Sequence, residues 1–388
     1  MLSAGDPAKA SPVDIKKVRH FQKVRKEMKT NLKKLTALLV AVAMMFALAA
    51  CGGSKTEEPA AAAPAASEPA AAEPAKADDT VYHISWAHSS STSDRLALAT
   101  EKMAAELEEA SNGRLIIDHY PASQLGAERE ELEGVLLGTI DCVVISGGPS
   151  ASFAPSVFVT NMPYQVSDRF IGQKLYDGDF GKMLGQKTSE EAGWYFLGWG
   201  ENGLRQFSNS KREIRTPEDM KGLKIRTMEN DIHMAIVNSL GGSATPIAFS
   251  ELYTALQQGT VDGQENGLAL TYSMGFYEVV NQMTLLPHIY DAYLVLMNKD
   301  KLASLPEDLQ ALMIEYGQKY CQYEREFNLQ NDNDALEAMT KAGLNTYTPT
   351  ADEAQLFIEA TKPVEQMVRD KVGDELVDAY IAGVAALK

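Results

Sequence analysis

The residues best suited to hydrolytic chemistry are six histidines and a serine-rich turn, His88–Ser91. A serine hydrolase of the α/β type needs a Gly-x-Ser-x-Gly turn, and a zinc hydrolase needs a His-Glu-x-x-His helix. The sequence contains neither pattern, and it also lacks a Gly-x-x-x-x-Gly-Lys-Ser/Thr phosphate loop. We therefore interpret His88–Ser91 as a polar loop and predict that the protein is not an enzyme.

Metal and cofactor chemistry has no sequence support either. The three cysteines and six histidines lack the spacing of metal ligands, and Gly147–Pro149 lacks the further glycines of a dinucleotide-binding turn. Cys142 and Cys321 lie in apolar and helical patterns, so we expect two buried thiols rather than a disulfide. We expect no metal and no cofactor.

The charge distribution excludes a nucleic-acid partner. The 388 residues carry 36 Lys and Arg against 53 Asp and Glu, a net charge of −17. Residues 1–50 hold ten of the basic and three of the acidic residues, so the other 338 residues have a net charge of −24. A surface this acidic repels phosphate backbones, and the 45% apolar content is that of an ordinary globular protein.

The first 50 residues are predicted to be a lipoprotein signal peptide. Lys29, Lys33 and Lys34 precede the apolar run Leu35–Ala50, which is shorter than the roughly 20 residues that span a bilayer. The Leu-Ala-Ala directly before Cys51 resembles the bacterial lipobox, in which the cysteine is lipidated. An uncleaved signal anchor with an incidental cysteine is the alternative.

Residues 51–80 are rich in Ala, Pro and Glu and contain Glu-Pro-Ala-Ala-Ala twice. Such a segment cannot bury enough apolar surface to offset its chain entropy, so we expect a disordered tether after the lipidated cysteine. Because Met28 lies where such signals usually begin, residues 1–27 are either an overlong start or a longer basic region. The folded body is predicted to comprise residues 81–388.

The body alternates between strand and helix patterns, which predicts an α/β fold with parallel strands. The predicted strands are Val81–His88, Arg114–Tyr120, Ile140–Ile145, Leu223–Thr227 and Thr245–Ile247. The predicted helices follow Asp94, Thr216 and Thr350 or cover Glu128–Leu137, Ile171–Gly193, Asp231–Leu240 and Ser250–Gln258. A capping box at Ser304–Glu307 starts a helix that we expect to continue past Phe327 and to brace two lobes.

The stretch 198–282 contains the most informative motifs. They include Asn-Gly-Leu-Arg ending at Arg205, Gly-Leu-Lys-Ile-Arg-Thr-Met-Glu-Asn ending at Asn230, and Asp-Gly-Gln-Glu-Asn ending at Asn266. With further matches in order from Trp86 to Pro306, the chain resembles the solute-binding subunits of TRAP (tripartite ATP-independent periplasmic) transporters, the DctP family. The resemblance implies a two-lobed fold like that of periplasmic binding proteins, which closes on an organic acid.

The resemblance also implies which residues bind the ligand. Arg226, at the end of the Gly-Leu-Lys-Ile-Arg strand, matches the arginine that pairs with the ligand carboxylate, and a planar guanidinium suits that role. Arg205 matches a second arginine, Asn266 an asparagine that hydrogen-bonds the ligand, and Phe249 a wall of the pocket. For Arg205 a surface ion pair is the alternative, and for Phe249 it is a place in the core.

Three weaker candidates are His88, Ser146 and Asn230. His88 faces the cleft in such folds, and a loop histidine with satisfied hydrogen bonds is the alternative. Asn230 ends the Met-Glu-Asn run. Ser146 lies where some members place an acidic contact for a substrate hydroxyl or amine, so we expect that contact to be weaker here or supplied by another residue. Asp231 and Gly267 stand where relatives often have proline, which leaves the identity of the acid open.

These observations lead to one functional hypothesis and two alternatives. We expect an extracytoplasmic lipoprotein, anchored to the cell membrane through Cys51, that delivers a carboxylate ligand to the small and large TRAP membrane subunits for uptake driven by an ion gradient. A sensory receptor would share the cleft but lack those membrane partners. An extracytoplasmic hydrolase would need a nucleophile and base that the sequence does not show.

Overall fold

Nine strands join in one mixed sheet within residues 80–388, the part of the chain that the computed structural model describes, apart from the side chains of residues 329–331 and 333. The strands are β1 (Tyr82–His88), β2 (Leu115–Tyr120), β3 (Cys142–Ser146), β4 (Tyr195–Asn209), β5 (Lys224–Thr227), β6 (Ser243–Pro246), β7 (Gly263–Asn266), β8 (Gln282–Met297) and β9 (Asn345–Tyr347). Their order is β2-β1-β3-β8-β4-β7-β5-β6, and β9 pairs with β8. The predicted signal peptide, Cys51 and the tether up to residue 79 lie outside the described residues.

Twelve α-helices connect and cover these strands in the described part. They are α1 (Arg95–Ala110), α2 (Glu128–Leu137), α3 (Gly147–Ser150), α4 (Arg169–Asp177), α5 (Asp179–Ala192), α6 (Asp231–Ser239), α7 (Leu252–Gln257), α8 (Leu268–Ser273), α9 (Lys299–Ser304), α10 (Glu307–Lys341), α11 (Ala351–Val372) and α12 (Asp374–Leu387). Short 3-10 turns lie at Pro155–Asn161, Pro217–Met220, Phe249–Glu251 and Phe276–Glu278. The predicted α/β class is confirmed.

The first lobe is built as its sequence pattern predicts. β1 pairs in parallel with β2 and β3, and α1 and α2 supply the crossovers between them. The carboxylate of Asp94 caps α1 by accepting a hydrogen bond of 3.1 Å from the backbone of Leu96. The apolar face of α1, with Met103 and Leu107 fully buried, packs on this sheet.

The second lobe repeats the parallel pattern with shorter strands. β5 pairs in parallel with β6 and with β7. The turn before β5 begins with Thr216, whose backbone N–H donates to the carboxylate of Asp219 at 2.9 Å, and its helix is a single 3-10 turn. The end of each strand in this lobe therefore points to the same edge of the sheet.

Two long antiparallel strands, β4 and β8, run through both lobes. β4 has 15 residues and β8 has 16, and their pairing extends from Tyr195↔Met297 to Asn209↔Gln282. Irregularities in the pairing fall between Glu201 and Gly203 and between Arg205 and Phe207, where the chain passes from one lobe to the other. These irregularities increase the local twist and bend of the strands.

Helix α10, 35 residues long, braces the two lobes as predicted. Its first half contributes Leu309, Met313 and Tyr320 to the apolar core of the first lobe. Its last turns contribute Ala335 and Met339 to a core of the second lobe. On the other side of the sheet, α11 and α12 cover a core that is shared by both lobes.

One predicted helix is divided into two. The helical pattern Ile171–Gly193 forms α4 and α5, which are separated at Gly178. A side chain at Gly181 would place its Cβ 1.8 Å from the carbonyl oxygen of Tyr176, so the tight turn between the helices requires glycine there.

The two thiols are confirmed as buried and unbridged, at Cys142 and Cys321. Among residues 80–388, no helix combines the length and apolar character needed to cross a bilayer.

Candidate functional site

The ends of parallel strands from the two lobes face each other across a narrow cleft. His88 ends β1 and Ser146 ends β3, whereas Arg226 and Asn266 lie at the ends of β5 and β7. The lobes touch here, because the Ser146 hydroxyl oxygen lies 3.3 Å from the sulfur of Met228. The structure therefore brings four predicted ligand residues, from distant parts of the chain, to one edge of the sheet.

Arg226 is a buried cation without a bonded counter-ion. Its side chain is 1% exposed, and its Nε donates to the carbonyl oxygen of Ile247 at 2.8 Å. Within the described residues its Nη1 has no hydrogen-bond partner. Burial lowers the pKa of Arg226 to about 10, although the charge of Glu265 partly opposes this effect. A buried charge is costly unless it is paired, so this guanidinium is suited to receive an anion.

The cavity beside Arg226 is small. Its volume is ≈ 10 Å³, and Arg226, Phe249, Glu128 and Met228 are among its lining residues. That is room for about one water molecule, whereas ligand pockets commonly measure about 300–1,000 Å³. The lobes are thus closed, and an organic acid can enter only if they separate.

Three larger grooves, of ≈ 440 to 450 Å³, lie elsewhere on the surface. None of the predicted ligand residues lines them. We place the site at the small cavity because it contains the unpaired buried cation, and because the volume of a cleft between lobes depends on closure.

Arg205 has a different environment, since its donors are taken up by the protein. Its Nη1 donates to Asp291 at 2.7 Å, and its Nε and Nη2 donate to the Glu265 carboxylate. Nη2 also donates to the backbone carbonyl of Glu265. Burial disfavours the charge, but Glu265 and Asp291 together raise the pKa of Arg205. The structure thus shows an ion pair, but a buried one rather than the surface pair that was the alternative for this residue, and contact with a ligand stays a prediction.

Two histidines complete this buried cluster, and sequence reasoning did not single them out. Nε2 of His288 lies 3.2 Å and Nδ1 of His233 lies 3.4 Å from the carboxylate of Glu265. Burial alone would raise the pKa of Glu265, but Arg205 and the histidines hold it well below its usual range. Glu265 directly precedes Asn266 in the Asp-Gly-Gln-Glu-Asn motif, which was the only sequence signal for it.

Phe249 lies beside Arg226, and Asn266 lies on β7, the strand that pairs with the Arg226 strand β5. Asn266 ends β7, is 1% exposed, and donates to the side chain of Gln264 at 2.6 Å. The ring centre of Phe249 lies 6.0 Å from Cζ of Arg226, and the ring packs edge-on against Phe276. Phe249 therefore lines the cavity and also packs against the core, so the two roles predicted for it are compatible.

Two of the weaker candidates are already engaged within the protein. Nε2 of His88 lies 2.9 Å from Nε2 of His119, and burial lowers the pKa of His88 to about 3. The side-chain oxygen of Asn230 caps α6 by accepting from Ile232 at 2.8 Å. Its amide donates across the cleft to Gly148 at 2.9 Å and to Asn161 at 3.0 Å. Asn230 thus fastens one lobe to the other, and its direct contact with a ligand stays a prediction.

Ser146 supports an acidic residue that the sequence reasoning missed. Its backbone N–H and its hydroxyl both donate to Oε1 of Glu128, at 3.1 and 2.9 Å. Glu128 opens α2 and lines the same cavity as Arg226. The only sequence signal for Glu128 was its position two residues after Gln124-Leu125-Gly126, which is one of the further matches to the family between Trp86 and Pro306.

Comparison with known proteins identifies the family. The family described as bacterial extracellular solute-binding protein, family 7 (DctP), matches residues 86–371. The chain belongs to the DctP family. A solute-binding protein of Verminephrobacter eiseniae is 36% identical over 285 residues, which cover 74% of this chain and 84% of that protein.

Solved structures of DctP proteins share the fold and contain organic acids. The sugar acid binding protein of Advenella mimigardefordensis, in complex with galactonate, has a TM-score of 0.77 and 26% identity, covering 80% of this chain and 99% of that one. A TRAP periplasmic solute-binding protein of Sulfurospirillum deleyianum with bound succinate has a TM-score of 0.75 and 28% identity, covering 80% and 100%. The two-lobed DctP fold is therefore confirmed, and these relatives are binding proteins rather than enzymes.

The described part of the chain offers no evident metal site. Among residues 80–388, no group of three or more His, Cys, Asp or Glu side chains is placed to hold a metal ion. The chemistry at the cleft is that of a cation and hydrogen-bonding groups.

Proposed function

We propose that this protein is the extracytoplasmic receptor of a TRAP transporter and that it captures an organic acid by its carboxylate group. The single observation that carries this proposal is the buried guanidinium of Arg226, which lies at the cleft with Nη1 unpaired among the described residues. A carboxylate would supply the missing counter-ion and would accept two parallel hydrogen bonds. Galactonate and succinate in the related structures are acids of this kind.

The affinity that such a site needs is modest. Charge-assisted hydrogen bonds contribute about 1.5–3 kcal/mol each, and micromolar binding corresponds to about −8 kcal/mol. Two bonds from Arg226, one from Asn266 and burial against Phe249 are sufficient. Arg205 would add a further donor only if it turned from Glu265 or Asp291, and His88, Ser146 and Asn230 would line the cleft.

Delivery follows from closure of the lobes. An anion that bridges the lobes stabilises the closed shape, and a membrane partner can recognise that shape. We propose that the small and large TRAP membrane subunits are these partners. We further propose that the signal peptide in residues 1–50 is removed, and that lipid on Cys51 holds the protein at the outer face of the membrane through the tether.

A binding screen tests the proposed function. The purified protein is heated in the presence of organic acids, uncharged sugars and amino acids, one at a time. A ligand at 100 times its dissociation constant stabilises the fold by about 2.7 kcal/mol, which gives a clear rise in melting temperature. A rise with carboxylates supports the proposal, and a rise with uncharged sugars alone contradicts it. Two multi-span membrane proteins encoded beside the gene would distinguish a transporter subunit from a sensory receptor.

A further inference from the structure

The cavity at the cleft carries two opposite charges that do not pair with each other. Arg226 and Glu128 both line it, and the charge of each is felt by the other. Yet no contact of 4.0 Å or less joins the two groups in the described structure, because Glu128 bonds to Ser146 and Arg226 bonds to Ile247. A ligand that enters between them must satisfy a donor on one side and an acceptor on the other.

Glu128 is held so that one of its oxygens is committed and the other is free. Oε1 accepts both the backbone N–H and the hydroxyl of Ser146. Oε2 has no hydrogen bond among the described residues, and it is not sealed from the cavity. Glu128 is 8% exposed, so few solvent molecules can compete for this oxygen. The protein therefore fixes the orientation of the Glu128 carboxylate before any ligand binds.

Several groups bear on the charge of Glu128. Burial raises its pKa, whereas the two donors of Ser146 and the cation of Arg226 oppose that rise. Glu128 is also the first residue of α2, where the helix dipole favours an anion. A bound hydroxyl group would stabilise this carboxylate further, whereas a second carboxylate would meet it as a like charge.

We propose that Glu128 selects the ligand, so that the site takes a hydroxylated monocarboxylate, such as a hydroxy acid or sugar acid, in preference to a dicarboxylate. This inference rests on the proposed function, because it assigns the ligand carboxylate to Arg226. A ligand hydroxyl donates to Oε2 of Glu128 while the carboxylate receives both prongs of the guanidinium. A dicarboxylate has no proton to donate to Oε2, so its second carboxylate and Glu128 would face each other as two acceptors. The free-energy cost of that arrangement makes the site discriminate between the two kinds of acid.

One neighbouring cation could in principle attract a second carboxylate. Arg129 also lines the cavity, but its side chain is 54% exposed and lies 3.3 Å from Glu133 on the same helix. Exposed pairs of this kind contribute little, because water and salt screen them. Arg129 therefore does not offset the charge of the buried Glu128.

The test measures the ratio of two affinities. Calorimetric titrations of D-galactonate and of succinate are made at neutral pH with the parent protein, Glu128→Gln and the control Glu229→Gln. Glu229 lines the same cavity but is exposed, so the control removes an equal charge at the rim. In Glu128→Gln the amide oxygen still accepts from Ser146, while the new NH₂ group can donate to a second carboxylate.

We expect the parent to bind galactonate more tightly than succinate. In Glu128→Gln the ratio of the two affinities should shift towards succinate by about 10- to 100-fold, the size of one hydrogen bond to a charged group. In Glu229→Gln the ratio should change by less than about threefold, because exposed charges are screened.

Three results would overturn the inference and leave the proposed function intact. They are a parent that prefers succinate, an unchanged ratio in Glu128→Gln, and a preference for succinate that Arg129→Gln removes. If no acid of any kind binds the parent, the proposed function itself fails. A parent whose tightest acid in the wider screen lacks a hydroxyl group also contradicts the selection by Glu128.

Discussion

Replacement of Arg226 by methionine should stabilise the ligand-free protein while abolishing its response to acids. In the folded protein, burial lowers the pKa of Arg226 from its ordinary value to about 10. Each pKa unit corresponds to about 1.4 kcal/mol, so the buried charge costs the fold about 3 kcal/mol at neutral pH. The arginine is charged in both states at this pH, and only the folded state bears the cost.

The net effect is smaller than this cost, because the variant also loses a contact. Methionine cannot donate to the carbonyl oxygen of Ile247, which Arg226 does at 2.8 Å. An unsatisfied buried carbonyl costs about 1–3 kcal/mol, so we expect a net gain in the free energy of unfolding of at most about 2 kcal/mol. For a protein of this size the melting temperature should rise by at most about 4 °C.

The loss of binding should be far larger than this gain. Two charge-assisted hydrogen bonds to a carboxylate are lost, about 3–6 kcal/mol in all, so affinity for the acid should fall about 100- to 10,000-fold. Melting curves with and without the acid measure both effects in one experiment. Arg205→Met is the contrasting variant, because it removes the buried arginine that pairs with the carboxylates of Glu265 and Asp291 and should destabilise the fold by about 3–5 kcal/mol.

The reasoning would be refuted by an Arg226→Met protein that melts below the parent and is still stabilised by the acid. That outcome would show a structural arginine whose charge is compensated by its surroundings. A variant that melts below the parent and is no longer stabilised by the acid would refute only the free-energy cost that we assign to the buried charge.

Asn230→Ala should lower the free energy of unfolding by about 2–3 kcal/mol in urea titrations, because it removes the cap of α6 and two hydrogen bonds that join the lobes. Unchanged stability of the ligand-free protein would mean that Asn230 serves the ligand instead. His88 has a folded pKa of about 3, below its unfolded value near 6.5, so the unfolded state takes up this proton first. The contribution of His88 to stability should therefore be constant above pH 6.5 and fall by about 1.4 kcal/mol per pH unit towards pH 3. In urea titrations at pH 7 and 4.5, His88→Asn should lose less stability between the two pH values than the parent does.

Local signals were sufficient to predict most of the elements of the fold. The cap of α1 by Asp94, the end of α2 at Gly138 and the start of α11 at Thr350 all depend on residues within one turn of each other. Such interactions join residues that are neighbours in the sequence, so the sequence alone predicts them, and the structure confirms them. The order of strands and helices then predicts the parallel pairings within each lobe.

Features that depend on contacts between distant residues could not be predicted from these local signals. The apolar run Trp194–Trp199 is only the beginning of β4, which continues through polar residues such as Asn202 and Arg205. These side chains are buried because partners from β7 and β8, 60 or more positions away, satisfy them. No periodicity in the sequence reveals a strand of this kind, since its interior side chains are charged.

The candidate site was predicted only in part, because some of its features also depend on residues that are distant in the sequence. The motifs placed Arg226 and Phe249 at one cavity, and the resemblance supplied their roles. They could not distinguish the unpaired Arg226 from the paired Arg205, because that difference depends on which carboxylates surround each guanidinium. Glu128 was missed because its importance comes from Ser146, which is 18 positions away on another element.

The shared strands have a consequence for the order in which the chain can fold. The first lobe is assembled from residues that are far apart, since β3 pairs with the end of β8 through Cys142↔Met297. Its sheet therefore cannot be completed until residue 297 has joined the chain, and contacts between distant residues form slowly. The pairing that joins the two lobes therefore also delays the assembly of the first one.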